Sequence, residues 1–233
     1  MLDVTGMNAF YGQAQILDGV SFNVNAGEVV ALLGRNGAGK STTMKAVMGM
    51  VASTAGDIKF HSRNIKGLST HEICRLGIGY VPEDRRIFTE LTVLENLEVG
   101  RQEARPDTPF WTAEKLFELF PNLGEMKNRP GGQMSGGEQQ MLTIARTLMG
   151  NPGTILLDEP SEGIAPLIVE QMALTIAELK KEGLAVLLSE QNLHFAKLVS
   201  DRAVIIEKGM VRYHGSIQEL EEKPEIRDAY LAV

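Results

Sequence analysis

The sequence is short of several features that mark particular classes of protein. Only one of its 233 residues is cysteine and only four are histidine, so no internal disulfide can form and no zinc-type cluster is found. No apolar stretch approaches the roughly 20 residues that a membrane-spanning helix needs. Residues 1–11 lack the basic region and apolar run of a signal peptide. These absences predict a cytosolic globular protein.

The chain also carries little positive charge. Its 23 Lys and Arg residues against 30 Asp and Glu give a formal net charge of −7. General affinity for nucleic acid or for anionic lipid is therefore not expected. The composition is otherwise ordinary for a soluble domain, with 43% hydrophobic residues. A chain of this length can bury a substantial core without disulfides.

The order of predicted elements is that of an α/β domain with a helical insert. Strand patterns come first, and an apolar run at 28–33 leads into a glycine loop and a helix, which is half of a βαβ unit. The strand–helix alternation returns after residue 153. We predict one domain over 1–233, with an α/β core at 1–84 and 151–233 and a helical subdomain at about 85–150. Phe110, Trp111 and Cys74 are expected to be buried.

The segment Gly34–Ser41 fits the pattern G-x-x-x-x-G-K-[ST]. Its glycines let the backbone wrap closely, so that consecutive N–H groups can point at a phosphate, and the helix that follows adds its positive dipole end. Lys40 can neutralise the β- and γ-phosphates, and the Ser41 hydroxyl can ligate Mg²⁺. A glycine turn with an incidental lysine is the alternative. The position between an apolar strand and a helix favours the phosphate loop.

Two acids end the apolar strand predicted at 154–157. Acids at a strand end can cap the next helix, and this pattern alone is weak. Together with a phosphate loop, it predicts that Asp158 holds Mg²⁺, directly or through water. Glu159 is then the base that orients and activates a water molecule beside the γ-phosphate.

A second glycine segment, Met-Ser-Gly-Gly-Glu, occupies 134–138. Ser135 and Glu138 form a capping box for a helix that continues through Leu148. A well-capped helix would by itself account for these two residues. Gly136 and Gly137 weaken a first helical turn, however, and contribute little packing. They leave backbone N–H groups bare at a positive helix end, which indicates a second phosphate-binding surface.

With Ser-Gly-Gly-Glu-Gln between the two nucleotide motifs, the chain resembles the ATPase subunits of ABC transporters over essentially its full length. The resemblance implies a P-loop NTPase core of α/β class, with an N-terminal antiparallel β subdomain and an inserted α-helical subdomain. It also implies ATP hydrolysis, with ATP and Mg²⁺ as cofactors, in a head-to-tail pair of subunits. Ser135, Gly137 and Glu138 would then serve the partner's nucleotide.

Motifs and resemblance together assign a set of residues to each task. The residues expected to bind ATP are Tyr11, Gly34, Arg35, Asn36, Gly37, Ala38, Gly39, Lys40, Ser41, Thr42, Ser135, Gly136, Gly137 and Glu138. The expected metal ligands are Ser41, Asp158 and Glu83, and the expected catalytic residues are Glu159 and Gln191. Tyr11 matches the family's adenine-stacking aromatic, with an ordinary half-buried strand residue as the alternative.

Three positions depart from the family's usual pattern. Glu83 stands where Gln is usual, Gln191 where a switch His is usual, and Ala165 where Asp is usual. Gln191 can donate a hydrogen bond to the γ-phosphate, but it cannot accept a proton as an imidazole can. A histidine-based proton transfer is therefore not expected, and Glu159 must carry that role.

Glu83 adds a carboxylate near the expected metal site. A carboxylate is a good ligand for a hard cation, so we expect Glu83 to bind Mg²⁺ or its water shell when ATP is present. The alternative is an ion pair with Arg85 or Arg86 that only shapes the loop.

The segments Tyr-Val-Pro-Glu-Asp-Arg-Arg, Glu-Pro-Ser-Glu-Gly-Ile-Ala-Pro and Ser-Glu-Gln-Asn look together like the LivF branch of the family. That branch powers importers for branched-chain amino acids, and close relatives handle urea or short amides. The implied partners are a second ATPase subunit, identical or related, two membrane permease subunits and, indirectly, a periplasmic binding protein. No nucleic acid is implied. The expected location is cytoplasmic, on the inner face of the membrane.

Three other functions fit the sequence less well. DNA-repair ATPases of the family need a long coiled-coil insertion, and its translation factors carry two such domains in tandem. A P-loop kinase would not need Ser-Gly-Gly-Glu-Gln and would need an acceptor pocket. A regulatory module that binds ATP without hydrolysis would not need Glu159.

Overall fold

The computed structural model describes residues 1–106 and 108–231, which form alternating strands and helices. In chain order these are β1 (Leu2–Tyr11), β2 (Ala14–Val24), β3 (Val29–Leu33), α1 (Lys40–Val47), β4 (Ser53–Phe60), β5 (Arg63–Asn64), α2 (Thr70–Leu76), β6 (Ile78–Val81), α3 (Val93–Gly100), α4 (Ala113–Leu119), α5 (Pro121–Glu125), α6 (Gly136–Leu148), β7 (Thr154–Asp158), α7 (Pro166–Lys181), β8 (Ala185–Glu190), α8 (Leu193–Val199), β9 (Arg202–Glu207), β10 (Met210–Ser216), α9 (Ile217–Glu221) and α10 (Pro224–Tyr230).

The strands form two sheets. A four-stranded sheet has the order β2-β1-β4-β5 and is antiparallel throughout. A six-stranded sheet has the order β10-β9-β3-β8-β7-β6, in which only the β9–β10 pair is antiparallel. Every residue of β3, β7 and β8 is buried, as expected for parallel strands covered on both faces. The predicted antiparallel N-terminal sheet and α/β core are confirmed.

Helices α3 to α6 lie between β6 and β7 in the chain. Their apolar faces share one hydrophobic cluster with β7 and β8, in which Leu97, Leu116 and Leu142 join Ile155 and Val186. The insert therefore packs directly on the sheet that carries the predicted nucleotide motifs.

Two of the three burial predictions are wrong. Trp111 is buried, but Phe110 is 49% exposed. Neighbouring side chains in an extended segment point in opposite directions, and the backbone N–H of Trp111 is fixed by a hydrogen bond to Asn151 Oδ1 at 2.7 Å. Cys74 is also exposed. It lies on the short helix α2, whose contacts with the core are made by Ile73 and Leu76.

None of the helices in the described ranges is long and apolar enough to cross a membrane.

The turn between β9 and β10 ties the phosphate loop to the antiparallel sheet. The Gly209 N–H donates to the Ala38 carbonyl at 2.8 Å, and the Gly209 carbonyl accepts the Asp18 N–H at 2.9 Å. Gly209 has φ +77°, and a Cβ there would collide with the Ile16 carbonyl. Only glycine allows this approach of the two backbones.

We expect Gly209→Ala to lower the free energy of unfolding by about 2 to 4 kcal/mol, because left-handed strain adds to the collision. Gly67→Ala is the matched control, since Gly67 has φ +82° with nothing near its Cβ position. The control should lose only about 1 to 2 kcal/mol. Urea titration of both variants measures the difference, and equal losses would show that the contact with Ile16 is unimportant.

Candidate functional site

The parallel ladder brings the predicted motifs to one edge of the sheet. Leu33, just before the phosphate loop, pairs with Glu190, and Asp158 pairs with Ser189. Since the strands run in the same direction, their carboxyl ends meet there. The loop after β3, the acids after β7 and the Gln191 segment after β8 therefore face one another.

The phosphate loop presents free backbone donors. Among the described residues, no intramolecular hydrogen bond involves the N–H groups of Gly37, Gly39, Lys40, Ser41 and Thr42. Gly39 has φ +113°, and a Cβ there would lie 2.8 Å from Leu17 Cδ2. A row of unsatisfied N–H groups at a helix N-terminus suits a phosphate group.

The Lys40 ammonium group is held inside the loop. Its Nζ donates to the Gly34 carbonyl at 2.8 Å and to the Arg35 carbonyl at 3.2 Å. It also forms an ion pair with Glu159 Oε1 at 2.9 Å. Lys40 is 4% exposed and Glu159 is 8% exposed. The predicted phosphate ligand and the predicted base thus neutralise each other.

Three hydroxyl groups converge on Asp158. Ser41 Oγ and Ser189 Oγ donate to Oδ1 at 3.0 and 2.6 Å, and the Tyr80 hydroxyl donates to Oδ2 at 3.0 Å. Burial raises the pKa of Tyr80, and the adjacent Asp158 carboxylate raises it further, so this hydroxyl keeps its proton. Both carboxylate oxygens are fixed in orientation by these donors.

Glu159 is held by its backbone and by its carboxylate. Its N–H donates to Ser189 O at 3.1 Å and Ser189 Oγ at 3.0 Å, and its φ is +46°. Gln191 Nε2 donates to Glu159 Oε2 at 2.8 Å. Burial alone would raise the pKa of Glu159, but hydrogen bonds from Glu162, Gln191 and Lys40 outweigh it and lower the pKa.

Two further carboxyl groups lie near Glu159. A hydrogen bond to Glu159, followed by burial and by the charges of Glu159, Glu83 and Glu190, raises the pKa of Glu162 to about 7. Burial also raises the pKa of Glu190, although the Ser161 and Asn192 N–H groups oppose it. The site is therefore rich in negative charge.

Glu83 is exposed and borders both the cleft at the phosphate loop and the cleft at Asp158. Neither neighbouring arginine pairs with it in the described chain. Arg86 binds Asp84 at 2.8 Å, and Arg85 Nη2 donates to the Glu162 carbonyl at 2.9 Å. The geometry gives no support to the loop-shaping alternative for Glu83.

Tyr11 ends β1 and borders the phosphate-loop cleft together with Ile16 and Asn36. Its side chain is 49% exposed, so the alternative of a half-buried strand residue stays open. An exposed ring at the mouth of a phosphate cleft is free to stack on a base.

The segment 135–138 lies elsewhere. The capping box is formed, with Ser135 N donating to Glu138 Oε2 at 2.7 Å and Glu138 N to Ser135 Oγ at 3.4 Å. Ser135 is exposed, and none of the four residues borders the phosphate-loop cleft in the described chain. The structure does not bring Gly136 and Gly137 to the phosphate loop of their own chain.

The oxygen ligands at this site fit Mg²⁺ only when a nucleotide supplies further oxygens. Ser41 Oγ and Asp158 Oδ1 lie 3.0 Å apart, and both are hard oxygen ligands. No group of three or more His, Cys, Asp or Glu residues in the described ranges could hold a metal alone. Mg²⁺ prefers six oxygens and keeps waters or substrate phosphates among them, so the two protein ligands suit an ion delivered with a triphosphate.

Sequence reasoning missed Ser189, Glu190, Tyr80 and Arg85. Ser189 could have been predicted from the sequence, because the pairing of β8 with β7 places it beside Asp158. The other three reach the site through tertiary contacts that leave no local pattern.

A phosphate loop and an acidic strand end on one edge of a parallel sheet are typical of nucleotide-hydrolysing P-loop proteins. The model of the family described as ABC transporter matches residues 17–162, which include the phosphate loop, Asp158 and Glu159 but not Gln191. The chain belongs to the ABC transporter family, as the resemblance implied, and is an ATP-hydrolysing cassette.

Individual relatives are similar along nearly the whole chain. BraG of Pseudomonas aeruginosa, a high-affinity branched-chain amino acid transport ATP-binding protein, is 43% identical over 99% of both chains. LptB of Escherichia coli K12, from a lipopolysaccharide export system, is 37% identical over 95% of this chain and 92% of its own. The ADP conformation of MJ1267, a cassette of an ABC transporter, superposes with a TM-score of 0.82 at 28% identity, covering 98% and 97% of the chains.

We expect Lys40→Met to lower the free energy of unfolding by about 3 to 5 kcal/mol at neutral pH, because it leaves the Glu159 carboxylate buried without its cation. The double variant Lys40→Met/Glu159→Gln removes both charges and should regain most of that loss. Since pairing holds the Glu159 pKa below its ordinary 4.5, this stabilisation is present above pH 4.5. It is lost as the pH falls through the lowered pKa.

Denaturant titrations at several pH values measure these differences. Lys180→Met is the control, because it breaks the half-exposed pair with Asp201 and should cost at most about 1 kcal/mol. If the double variant is as unstable as Lys40→Met, the ion pair is not the source of the loss.

Proposed function

We propose that this chain is the ATP-hydrolysing subunit of an importer for branched-chain amino acids. The observation that carries the proposal is the end-to-end similarity to BraG, at 43% identity over 99% of both chains. The residues at the sheet edge supply the chemistry that such a subunit needs. LptB, whose name describes an export system, is less similar.

In this proposal the phosphate loop takes the triphosphate. The free N–H groups of Gly37, Gly39, Lys40, Ser41 and Thr42 bind phosphate oxygens. Lys40 Nζ moves from Glu159 to the β- and γ-phosphates. Tyr11 stacks on the adenine ring. Ser41, Asp158 and Glu83 would hold Mg²⁺ or its waters, and the bound ion would neutralise charge on the phosphates.

Glu159 is the proposed base. Release of Lys40 frees its carboxylate to accept a proton from a water in line with the γ-phosphate. Gln191 Nε2, now 2.8 Å from Glu159 Oε2, can donate to the γ-phosphate or hold the base, but it accepts no proton. The water oxygen bonds to phosphorus as the bond to ADP breaks, and the proton stays on Glu159 until solvent removes it.

A second subunit completes the proposed site. Ser135, Gly136, Gly137 and Glu138 form a helix start away from their own phosphate loop, with Ser135 exposed and Gly137 buried. In the proposed pair this helix start binds the nucleotide of a head-to-tail partner. That partner is a second ATPase, identical or related. Closure drives two permease subunits only if ATP binds the closed pair more tightly than the open one. The proposed location is the cytoplasmic face of the membrane.

Glu159→Gln should retain ATP binding and lose hydrolysis by a factor of about 100 or more, because the amide cannot accept the proton. In vesicles that carry the assembled transporter, the variant should abolish ATP-driven uptake of radiolabelled leucine. Glu178→Gln, on the exposed side of α7, is the matched control and should leave both rates unchanged.

Competition by unlabelled isoleucine, valine, urea and acetamide identifies the cargo. Inhibition by the two amino acids supports the proposal. Inhibition by urea or acetamide instead would overturn the proposed cargo but leave the proposed ATPase activity standing. Near-normal ATP turnover in Glu159→Gln would refute the assigned base.

Glu83→Gln tests the third metal ligand. If Glu83 binds Mg²⁺ or its water shell, the variant should need roughly tenfold more Mg²⁺ for half-maximal hydrolysis, since one carboxylate is lost. Asp84→Asn is the control, because Asp84 is an exposed acid paired with Arg86. A Mg²⁺ titration that coincides with the wild type would remove Glu83 from the metal site.

A further inference from the structure

The turn that follows the base, residues 160–163, is held from two sides. It is closed by a hydrogen bond from Glu162 N to the Glu159 carbonyl at 3.2 Å, and Gly163 has φ +64°. One N–H and one carbonyl of the turn bind charged side chains from other segments. Those side chains are Glu190 and Arg85, and neither has a role in the chemistry proposed above.

Glu190 holds the inner side of the turn. It is 2% exposed. One carboxylate oxygen accepts the Ser161 N–H at 3.2 Å, and the other accepts the Asn192 N–H at 3.3 Å. In the described ranges no Lys or Arg forms an ion pair with it.

A buried carboxylate without a cation is unfavourable, and an apolar side chain would fill the same space at lower cost. What the carboxylate provides is two acceptors on one group. It therefore joins the turn to the backbone beside Gln191.

Arg85 holds the outer side of the turn. Its Nη2 donates to the Glu162 carbonyl at 2.9 Å. Its Nη1 occupies the space that a Cβ on Gly136 would need. Among the described residues, no acid pairs with this guanidinium. Arg85 therefore joins the turn to the first residue of α6.

These contacts form one continuous path. It runs from Gln191 through Glu190 to the turn, and from the turn through Arg85 to Gly136. If the proposed function is right, Gln191 faces the subunit's own nucleotide and Gly136 faces the nucleotide of its partner. We propose that Glu190 and Arg85 are positioning residues that couple the two nucleotide sites of the pair through the turn 160–163.

The arrangement suits a mechanical link. Glu190 accepts the N–H of Ser161 and Arg85 donates to the carbonyl of Glu162, so the turn is held at two adjacent residues. A shift of the backbone at Gln191 moves Asn192, and Glu190 carries that movement to the turn. Coupling of this kind is a free energy shared by two sites, and it is demonstrated by non-additive variants rather than by proximity.

The test uses Glu190→Gln and Arg85→Lys, alone and together, in the assembled transporter. An amide has one acceptor oxygen, so Glu190→Gln keeps the shape but leaves one backbone N–H unpaired. Lysine keeps the charge of Arg85, but its single nitrogen cannot both bond Glu162 and fill the space beside Gly136.

We expect each variant to lower kcat roughly tenfold, as misplacement of catalytic groups does. The Hill coefficient for ATP should fall towards 1. The affinity of the isolated chain for a fluorescent ATP analogue should stay within about twofold of the wild type, since neither residue touches its own nucleotide. Because both variants cut the same link, the double variant should be no worse than the worse single one.

Two controls carry the same substitutions at other positions. Glu207→Gln alters another acid at the end of a strand in the same sheet, and Arg86→Lys alters the neighbouring arginine, which binds Asp84. Both should behave as the wild type. Thermal unfolding of every variant is measured alongside. If Glu190→Gln does not fold, Arg85→Lys alone decides the outcome.

Additive losses in the double variant, or a Hill coefficient that no variant changes, would overturn the inference. Wild-type hydrolysis without cooperativity would overturn it too. Failure of the proposed function can be told apart from failure of the coupling, because Lys40→Met would then leave binding of the ATP analogue intact. A wild type that binds and hydrolyses ATP, with Glu190→Gln and Arg85→Lys equally active, would refute only the coupling.

Discussion

The buried ion pair between Lys40 and Glu159 is the contact on which the rest of the site depends. Their charged atoms are 2.9 Å apart, with almost no access to solvent. Each charge would be costly to bury without the other. A triphosphate on the phosphate loop competes for the same ammonium group. In the proposed mechanism, occupation of the loop by the triphosphate and release of the Glu159 carboxylate are therefore one exchange of partners.

That exchange is possible because Glu159 has hydrogen bonds besides the one to Lys40. Gln191 and the backbone of the strand end keep the carboxylate oriented when Lys40 leaves. Asp158 is held independently by three hydroxyl groups, of which only Ser41 belongs to the phosphate loop. The proposed metal ligand and the proposed base thus have separate supports, although they are neighbours in sequence.

The sequence could predict the residues proposed to bind the triphosphate and its metal, but not the residues that hold the surrounding backbone in place. Lys40, Ser41 and Asp158 lie in short patterns whose local structure brings them together, a loop before a helix and an acid after an apolar strand. The bounds of α2 and the capped start of α6 follow in the same way from local capping residues. Glu190 and Arg85 are different, because each acts on a segment more than twenty residues away.

The balance of charge at the sheet edge explains why so many backbone donors are left free. Glu83, Glu159 and Glu190 lie close enough to Glu162 for their charges to act on it, and only Glu159 is paired with the buried Lys40 among the described residues. An approaching triphosphate therefore meets excess negative charge. Part of the excess is removed because Glu162, with a pKa of about 7, is partly protonated at neutral pH. In the proposed mechanism the remainder is offset by the unpaired N–H groups of Gly37, Gly39, Lys40, Ser41 and Thr42 and by a divalent ion that arrives with the nucleotide. By this proposal the site binds a phosphate group weakly without its metal, which suits an enzyme that selects ATP complexed with Mg²⁺ from other anions.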